Sequence, residues 1–446
     1  MVSSGCSVDV KEVPTPVALD KTFSIAGSED LKSQWWLAFN DEALNQLIDT
    51  ALRDNFSLKA AFNRVEQARA TARKSGADLV PSINGTFETS RKITDKLESD
   101  SFSLGLLASY EIDLWGRIRA NLHAAELETY AIEEDLHAAA ISLSADIATT
   151  WYRLIEQRKQ LLLLNQQIKT NQDLAGIVEA RFRATIATAA DVFQQRQVLE
   201  GVVGDKETVL ATINVLEHQL AVLSGKAPKQ IKLLEISAFP DLAPVPKTGL
   251  SADLIKRRPD LRKAYFSVQA ADQRIGAAIA DRFPKLSLSA GINTSSPDLQ
   301  SLFNNWLATL AGNLVMPIID GSRRLSEVER VEAKARESLN TYATALLTAT
   351  REVEDALVQE YRQQNLVSSL AKQVLLSQQA NEQITLRYRH GAIDFLRVLS
   401  IYLTQQGLER SHLRAERELI EFRINLHRAL AGSFQLPPSF SKIDHD

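Results

Sequence analysis

The sequence has few of the residues and patterns by which most other classes of protein are recognised. One cysteine in 446 residues excludes a disulfide framework and a zinc site built from cysteines. Thirteen prolines, eighteen glycines and 7% aromatic residues are few for this length, and they favour long helices over a compact α/β enzyme. The formal net charge of −4 provides no basic surface for nucleic acid. No run approaches the ~20 apolar residues of a membrane-spanning helix.

No arrangement of residues indicates catalysis. The seven histidines are scattered, and none lies four residues from another, which is the spacing of a helical metal-binding pair. The sequence contains no glycine-rich phosphate loop. We therefore expect neither enzymatic activity nor a cofactor.

An internal repeat covers most of the chain. Residues 58–83 match residues 261–286 at an offset of 203, and residues 181–183 match residues 387–389 at an offset of 206. Because the offset changes by only a few residues along the chain, the two halves are expected to have the same sequence of structural elements. The predicted regions are an N-terminal extended segment (1–34), a first repeat (35–225), a proline-rich linker (226–249), a second repeat (250–432) and a C-terminal tail (433–446).

Each repeat is predicted to begin with a helix. In the first repeat Asp41 is a suitable N-cap for a helix that runs towards Gly76. Its counterpart in the second repeat covers about 252–282, and Pro284 ends it.

Each repeat is also predicted to contain a much longer helical stretch. No proline occurs from Gly116 to Pro228, or from Gly321 to Pro437. If each stretch folds back once, its arms hold about 50–65 residues, or ~75–100 Å of helix. A seven-residue spacing implies supercoiling against a neighbouring helix, and it is kept by Ile147, Leu154, Leu161, Ile168, Ala175 and Phe182.

Four segments alternate between apolar and polar residues, as strands with two different faces do. They cover about 82–90, 101–113, 285–294 and 305–316, with polar loops over 91–100 and 295–304. Each segment is close to the ~9–11 residues that a tilted strand needs to cross a bilayer. One apolar face and one small, polar face suit lipid outside and water inside. A soluble sheet packed on helices would alternate in the same way, and the strands alone leave both interpretations open.

The number of strands limits how such a sheet could exist in lipid. A sheet that spans a membrane must close, because every backbone donor and acceptor needs a partner there. About eight strands make the smallest barrel, and its interior is filled with side chains. Four strands per chain therefore require several chains: two copies would give a plugged barrel, and three would give twelve strands around water.

Several motifs resemble one known family. The first half contains WWLAFND over 35–41 and ASYEIDLWGR over 108–117, the latter at a strand-to-helix junction. The second half contains RRPDL over 257–261, IGAA over 275–278 followed by Phe283-Pro284, and RYRHG over 387–391. These motifs cover roughly residues 35–433, and they occur in the same order as in members of one known family. The chain thus resembles the TolC- and OprM-like outer-membrane efflux channels, in the branch with a lipidated N-terminus.

The resemblance implies a fold, an assembly and partners. The fold is a mixed α and β membrane protein in which three chains, each giving four strands, form a twelve-stranded β-barrel in the outer membrane of a Gram-negative bacterium. A coiled-coil α-helical barrel would continue it across the periplasm. A periplasmic adaptor protein and an inner-membrane pump would drive export, and the homotrimer would be a passive conduit for drugs, bile salts or other small toxic compounds. A type I protein-secretion conduit shares this fold, and a structural coiled-coil scaffold is a third interpretation.

The resemblance also implies a gate at the periplasmic tips of the long helices. In the second repeat the matching residues are Arg387, Asp394, Leu396, Leu399 and Ser400. Relatives of the OprM type are expected to have an aspartate where this chain has Ser400. Asp394 could supply the negative charge instead, and Leu396 a hydrophobic constriction.

In the first repeat, Arg181, Arg183 and Asp191 occupy the equivalent turn. We also expect Arg387 to pair with an acidic group when the tip is closed, because it belongs to a repeated Arg-aromatic-Arg motif.

The single cysteine suggests a membrane anchor. Ser3-Ser4-Gly5-Cys6 resembles the end of a bacterial lipoprotein signal, although Ser3 stands where leucine is usual. Neither the basic nor the apolar part of a signal peptide precedes it. On the expectation that a leader has been removed, a lipid on Cys6 would add roughly 0.8 kcal/mol of membrane attachment per buried CH₂.

Overall fold

The computed structural model describes residues 16–18, 22–29, 34–95, 97–229, 238–249 and 253–430. The predicted lipid-attachment residue Cys6 and the predicted tail 433–446 lie outside the described residues. The chain divides into two compact units, and each unit takes segments from both sequence repeats. The first unit joins Ala61–Leu136 to Asp260–Leu347, whereas the second joins Leu19–Ala60 and His137–Pro259 to the residues from Thr348 onward.

The first unit contains a four-stranded antiparallel sheet, which confirms the four predicted strands. Its strands are β1 (Ser82–Thr94), β2 (Leu97–Ile112), β3 (Lys285–Ser296) and β4 (Trp306–Val315), hydrogen-bonded in chain order. Leu106 of β2 lies opposite Gly85 on one side and Ile292 on the other. Both repeats thus contribute one hairpin each, and the hairpins join through β2 and β3.

The predicted polar loop over 91–100 is wrong. β1 continues to Thr94 and β2 begins at Leu97, so the hairpin is longer than its apolar alternation suggested. The charged residues are accommodated because they pair across the ladder: Arg91 lies 2.9 Å from Glu98 and 3.5 Å from Asp100. Alternation of apolar residues marks only the part of a strand that meets an apolar environment, which is why the sequence pattern ended early.

Eight helices are present in the described residues, and the four longest form two folded-back pairs. The helices are α1 (Glu42–Asp54), α2 (Phe56–Gly76), α3 (Arg117–Arg183), α4 (Ala189–Leu223), α5 (Leu254–Arg257), α6 (Pro259–Ala280), α7 (Arg323–Arg389) and α8 (Phe395–Leu430). The single reversal in each long stretch is confirmed. The arms are unequal, with 67 residues in α3 and α7 but 35 in α4 and 36 in α8. None of the described helices has the length and apolarity that crossing a membrane requires.

Both first helices are broken where one continuous helix was predicted. Asn55 separates α1 from α2, and its side-chain oxygen caps α2 by accepting from the backbone N–H of Leu58 at 3.0 Å. In the second repeat Arg258 is extended (ψ 123°) between α5 and α6, because it precedes Pro259 and a residue before proline disfavours helical geometry. Pro259 then occupies the first position of α6, where its missing N–H costs nothing.

The seven-residue line of α3 is buried only at its beginning. Ile147 and Leu154 are fully buried, but Phe182 at the other end is exposed. Towards that end the buried positions are Leu164, Gln167, Asn171, Leu174 and Val178. The helix therefore changes the face that it buries along its length, and a single heptad register does not describe it.

Aromatic residues form the core of the second unit. Trp35, Trp36 and Phe39 belong to a short 3-10 helix, and all three are buried. Asp41 caps α1 through the N–H of Leu44 at 3.1 Å, as predicted, and it also accepts a 2.8 Å hydrogen bond from the indole of Trp151 on α3. One carboxylate therefore starts a helix and fixes it to the neighbouring long helix.

Candidate functional site

The predicted gate residues lie at or beside two helix reversals in the second unit. The first turn (184–188) connects α3 to α4, and the second turn (390–394) connects α7 to α8. They have the same backbone hydrogen bond, from Ile186 N to Arg181 O and from Ala392 N to Arg387 O, at 2.9 Å in each case. Thr185 and Gly391 occupy the left-handed region, with φ of 61° and 73°. The two turns are therefore structural counterparts, as the repeat predicted.

The two predicted aspartates at these turns are helix caps. Asp191 and Thr188 form a capping box, in which the Asp191 carboxylate accepts from the Thr188 N–H at 2.8 Å and from its hydroxyl at 2.9 Å. Asp394 accepts from the backbone N–H of Arg397 at 2.9 Å and so caps α8. A carboxylate also interacts favourably with the positive end of a helix dipole. Within this chain, the two carboxylates therefore serve as N-terminal caps of α4 and α8.

An apolar core lies between the helices beside these turns. Its buried members are Leu174, Val178, Val192, Tyr388, Phe395, Val398 and Leu399. The predicted gate residue Leu399 is thus one of the residues that hold the helix ends together. Its neighbour Leu396 is exposed, as a residue of a constriction must be.

Arg181 makes the contact that joins the two long helices at this end. Its Nη1 donates to the backbone carbonyl of Tyr388 at 2.8 Å, and its guanidinium lies 4.4 Å from the centre of the Tyr388 ring. The Tyr388 hydroxyl is buried and has no hydrogen-bond partner among the described residues. Burial raises the pKa of the Tyr388 hydroxyl, so the ring remains neutral. The Arg-aromatic-Arg motif indicated this position in the sequence, but it did not indicate that the aromatic residue is the partner of Arg181.

Arg387, Leu396 and Ser400 lie on the surface near the second turn. Within the described part of the chain Arg387 forms no ion pair, whereas its repeat counterpart Arg181 contacts the carbonyl and the ring of Tyr388. Ser400 is exposed, and its carbonyl accepts from the Thr404 hydroxyl at 2.8 Å as part of α8. All three residues are exposed in this chain, and the predicted pairing of Arg387 stays a prediction.

The two turns differ in which large residues they bury. Tyr388 is 3% exposed, but its counterpart Phe182 is 45% exposed; Leu399 is 3% exposed, but its counterpart Phe193 is 68% exposed. In both of these pairs the residue beside the second turn is buried and its counterpart beside the first turn is exposed.

The sheet of the first unit is the other candidate surface. Large apolar side chains are exposed along it, including Ile83, Phe87, Leu310 and Leu314, and Leu310 is 84% exposed. In water such a surface would carry a large hydrophobic cost. In addition, β1 and β4 each pair with only one strand among the described residues, which leaves one edge of each with free backbone groups.

The described residues contain no cluster of histidine, cysteine, aspartate and glutamate side chains that could hold a metal ion. The candidate functional features are thus two helix turns with surface charges and a sheet with exposed apolar residues and, among the described residues, two open edges.

Comparison with known proteins places these features in one family. The family model for the outer membrane efflux protein matches residues 47–225 and 250–432. The chain is 30% identical over 455 residues to the pyoverdine export outer membrane protein OpmQ of Pseudomonas aeruginosa, with 94% of each protein covered. It is 30% identical over 462 residues to the cation efflux system protein CusC of Escherichia coli O157:H7, with 97% of this chain and 96% of CusC covered.

A solved structure supports the same relationship. The chain superposes on a crystal structure of CusC with a TM-score of 0.87 and 26% identity, over 95% of this chain and 99% of CusC. The names of these relatives describe export and efflux proteins rather than enzymes.

Proposed function

This chain belongs to the outer membrane efflux protein family, and we propose that it is the passive outer-membrane conduit of a tripartite efflux system, assembled from three identical copies. The family places it in the outer membrane of a Gram-negative bacterium. Its cargo would be drugs, bile salts or other small toxic compounds. A periplasmic adaptor protein would connect it to an inner-membrane pump, which supplies the energy.

The open sheet is the observation that carries this proposal. In hydrocarbon every backbone N–H and C=O must be paired, and the free edges of β1 and β4 would not be. Pairing β4 of one copy with β1 of the next satisfies both edges without any further protein. Three copies would give twelve strands, and eight or fewer would leave no room for a water-filled passage.

The exposed apolar side chains fit the same arrangement. On β4 they include Trp306, Leu310 and Leu314 on one face, while Thr309 and Asn313 lie on the other. A strand in a membrane barrel alternates in this way because one face meets lipid and the other meets water. We assign the Leu310 face to lipid and the Thr309 face to the interior.

The two helix turns are proposed as the gate at the periplasmic end. Arg181 holds the ends of α3 and α7 together within one chain through Tyr388. The exposed Arg387 would pair with an acidic group of a neighbouring copy, and Asp394 is a suitable partner because its carboxylate remains exposed while it caps α8. Leu396 would narrow the closed passage, and Leu399 would support it from the core. In the first turn Asp191 would act as a cap.

A lipid on Cys6 is proposed as an additional anchor. Covalent acyl chains bind a protein to a bilayer by the hydrophobic effect, and more than one signal is needed for stable attachment. In this chain the second signal would be the apolar sheet.

Native mass spectrometry in detergent and planar-bilayer recording test the proposal together. We expect the purified chain to have the mass of a trimer and to form ion-conducting channels in a lipid bilayer without any partner protein. The oligomer should also withstand unheated detergent and dissociate on boiling, because a closed barrel resists and a coiled-coil rod does not. A monomeric, water-soluble protein without conductance would contradict the proposed function.

A further inference from the structure

The junction between β2 and β3 shows how two strands of this sheet are fastened together at the end where the helices begin. Trp115 follows β2, and its indole N–H donates to the backbone carbonyl of Pro284 at 2.8 Å. Its ring stacks on that of Phe283, with 4.8 Å between the ring centres. Phe283 and Pro284 directly precede β3, so this contact joins the hairpin of the first repeat to the hairpin of the second.

The residues beside the two outer strands are highly exposed. Ile318 and Ile319 follow β4, and their side chains are 87% and 93% exposed. Val80 precedes β1 and is 62% exposed. Burial of such side chains is favourable, at roughly 25 cal/mol per Å² of apolar surface removed from water. Each open edge of the sheet therefore has an uncovered apolar surface at the end where the helices begin.

The internal repeat relates these outer edges to the inner junction. At the offset of 203, residues 283–284 correspond to residues 80–81, and β3 corresponds to β1. At an offset of 205, residues 114–117 correspond to residues 319–322, and the glycine in each segment has a positive φ, of 75° and 62°. The counterpart of the β2–β3 junction is thus a junction between β4 and β1. Because β1 and β4 lie at opposite edges of the sheet, this junction requires β1 of another copy, and this step rests on the proposed function.

The pairing of β2 with β3 also supplies a register for the junction between copies. Leu106 of β2 lies opposite Ile292 of β3. Ile292 corresponds to Thr89 of β1 at the offset of 203. The apolar alternation of β2 coincides with that of β4 at an offset of 204, which relates Leu106 to Leu310 and leaves one extra residue between β4 and the glycine that follows it. Leu310 of one copy would therefore lie opposite Thr89 of the next.

The two faces of the sheet permit this register or one that differs from it by two residues. A shift of one residue would set the apolar face of β4 beside the polar face of β1. In this register the opposed residues run from Ile83 through Ala108, Ala290 and Leu310 to Thr89 of the next copy. Each copy thus advances the register by six residues, from 83 to 89, and three copies advance it by about 18.

The strand tilt that follows from this register fits a membrane barrel. In a closed barrel the tilt depends on the register advance, the rise per residue and the spacing between strands. With ~3.3 Å per residue and ~4.8 Å between strands, twelve strands with this advance tilt by about 46°. Strands that cross a bilayer tilt by about 45°. An advance of about eight residues per copy would give about 54° and one of about four would give about 35°, so the tilt disfavours the former and the repeat selects against the latter.

The same register brings the apolar residues of the two edges together. Continued towards the helices, it places Ile318 beside Pro81 and Ile319 beside Val80 of the next copy. Two uncovered apolar surfaces would thus cover each other wherever β4 meets β1.

The outer junction lacks the aromatic residue of the inner one. Asp320 stands where the inner junction has Trp115. Its carboxylate accepts from the Arg324 side chain of the same chain at 3.0 Å. Apolar contact by the two preceding isoleucines would therefore hold the outer junction in place of a stacked ring.

We propose that β4 of one copy pairs with β1 of the next in the register that sets Leu310 opposite Thr89, and that the two isoleucines after β4 pack on residues 80–81 of that copy. The partner of this surface is a second copy of the chain. It is recognised by backbone hydrogen bonds along the strand and by apolar contact at the strand's end.

Cysteine cross-linking in the full-length protein tests the contact at the junction. Cys6→Ser removes the only native thiol, and Val80→Cys with Ile319→Cys then places one thiol on each side of the junction. After treatment with a short bis-maleimide, we expect covalent dimers and trimers that persist on boiling in detergent, because residues held side by side react at a high effective concentration. Native mass spectrometry of the Cys6→Ser parent reports whether it is a trimer.

Ile93 provides the matched control for this pair. It lies on β1 and is 68% exposed, but it is at the end of the strand away from the helices. In the same parent, Ile93→Cys with Ile319→Cys should give about tenfold less covalent oligomer than the Val80 pair.

A second set of variants measures the register itself. Leu310→Cys with Thr89→Cys joins residues directly opposite each other, whose Cβ atoms would be ~4.5–5.5 Å apart, whereas Leu310→Cys with Phe87→Cys joins diagonal residues ~7–8 Å apart. A disulfide needs about 3.5–4.5 Å between Cβ atoms. Under mild oxidation the Thr89 pair should therefore give about threefold more covalent oligomer than the Phe87 pair, or a larger excess.

The outcomes separate this inference from the proposed function. A wild-type chain that is not trimeric contradicts the proposed function. A trimer in which the Val80 pair forms no covalent oligomer, as expected if Ile319 meets lipid instead, overturns the contact at the junction. A trimer in which Phe87→Cys reacts as well as Thr89→Cys with Leu310→Cys overturns the register.

Discussion

Glu134 and Glu360 are both buried carboxylates, and they differ in how they are neutralised. Both oxygens of Glu360 accept from the Arg423 guanidinium, and these side chains are only 6% and 7% exposed. Arg423 also donates to the carbonyl of Ala243 at 2.7 Å, so its remaining hydrogens hold part of the linker. Glu134 has one ion pair and one unpaired oxygen, and burial raises its pKa to about 7. A single buried carboxylate can therefore be a stable structural contact or a titrating one.

Replacing Glu134 by glutamine should remove a pH dependence of stability. The pKa of Glu134 rises from 4.5 to about 7 on folding, so its contribution to the free energy of unfolding is lost as pH rises from 4.5 through 7. This shift corresponds to roughly 3 kcal/mol at most. The free energy of unfolding of Glu134→Gln, taken relative to that of wild type, should therefore increase by about 2 kcal/mol between pH 5 and pH 8. Thermal unfolding in detergent measures this difference. Glu337→Gln, on an exposed face of α7, should show no such gain. A constant difference between Glu134→Gln and wild type over this range would contradict the assignment.

A single residue, Asn55, divides the first predicted helix of the first repeat into α1 and α2. Asn55 caps α2 and its amide also donates to the carbonyl of Leu223 at 2.9 Å, so the break between α1 and α2 is held by the end of α4. At the other ends, the turns after α3 and α7 have the same backbone hydrogen bond but bury different residues. Two elements with similar sequences can thus expose different large side chains: Phe182 and Phe193 are exposed, whereas their counterparts Tyr388 and Leu399 are buried.

Removing the Arg181 side chain should loosen the ends of α3 and α7. Arg181→Leu loses the hydrogen bond to Tyr388 and the contact with its ring, which together are worth about 1–3 kcal/mol. In planar bilayers we expect single-channel conductance or open probability to rise by roughly tenfold or more. Arg387→Ala should also raise it, if Arg387 pairs with an acidic group of another copy.

Arg183 provides the matched control for this experiment. It lies two residues from Arg181, is exposed and forms no contact with another described residue. Arg183→Leu should therefore behave as wild type. If Arg181→Leu and Arg387→Ala conduct as wild type does, the helix turns are not the gate.

At the scale of the whole molecule, the sheet combines outer strands that are unpaired on one side, among the described residues, with exposed apolar side chains. Its four strands are paired in chain order, and the outer edges of β1 and β4 are free among the described residues. The large exposed side chains of this sheet, such as Leu310, are unfavourable in water. Lipid and further copies of the chain would satisfy both conditions together.

Two substitutions on adjacent residues of β4 test which face meets lipid. Leu310→Arg should abolish the membrane-embedded trimer, because arginine costs about 2–4 kcal/mol near the bilayer midplane. Thr309→Arg points to the opposite face and should leave the trimer intact. The amount of heat-modifiable trimer in purified outer membranes gives the comparison. Equal loss in both variants would show that the two faces are not distinguished in this way.

Much of this fold was predictable because local chemistry decides it. The Asp41 carboxylate caps the helix that follows it by accepting from the Leu44 N–H, Pro81 and Pro284 end helices, and the alternation of β3 and β4 marks strands. These features involve only residues close in the sequence. The predictions failed where a distant contact decided the outcome. The continuation of β1 and β2 beyond Arg91 and Asp100 depends on cross-strand pairing, and the shifting buried face of α3 depends on which helix lies beside it.

The candidate site was likewise predictable from the sequence only in part. The repeated Arg-aromatic-Arg motif led to Arg181 and Arg387 as equivalent residues, and they lie at equivalent places near the ends of α3 and α7. Only the structure showed that Arg181 binds Tyr388, and that Leu399 is buried although its counterpart Phe193 is exposed. A repeat in sequence specifies equal positions, but burial depends on the neighbours of each position.

By itself the amino-acid sequence determined the repeat, the long helices and the four strands, because capping, proline geometry and alternation act over a few residues. The tertiary structure alone decided which charges meet, which turn buries its aromatic residue and which strand edges stay open. These features depend on contacts between residues that are hundreds of positions apart in the sequence. A local sequence pattern does not show which distant residues become neighbours in the fold.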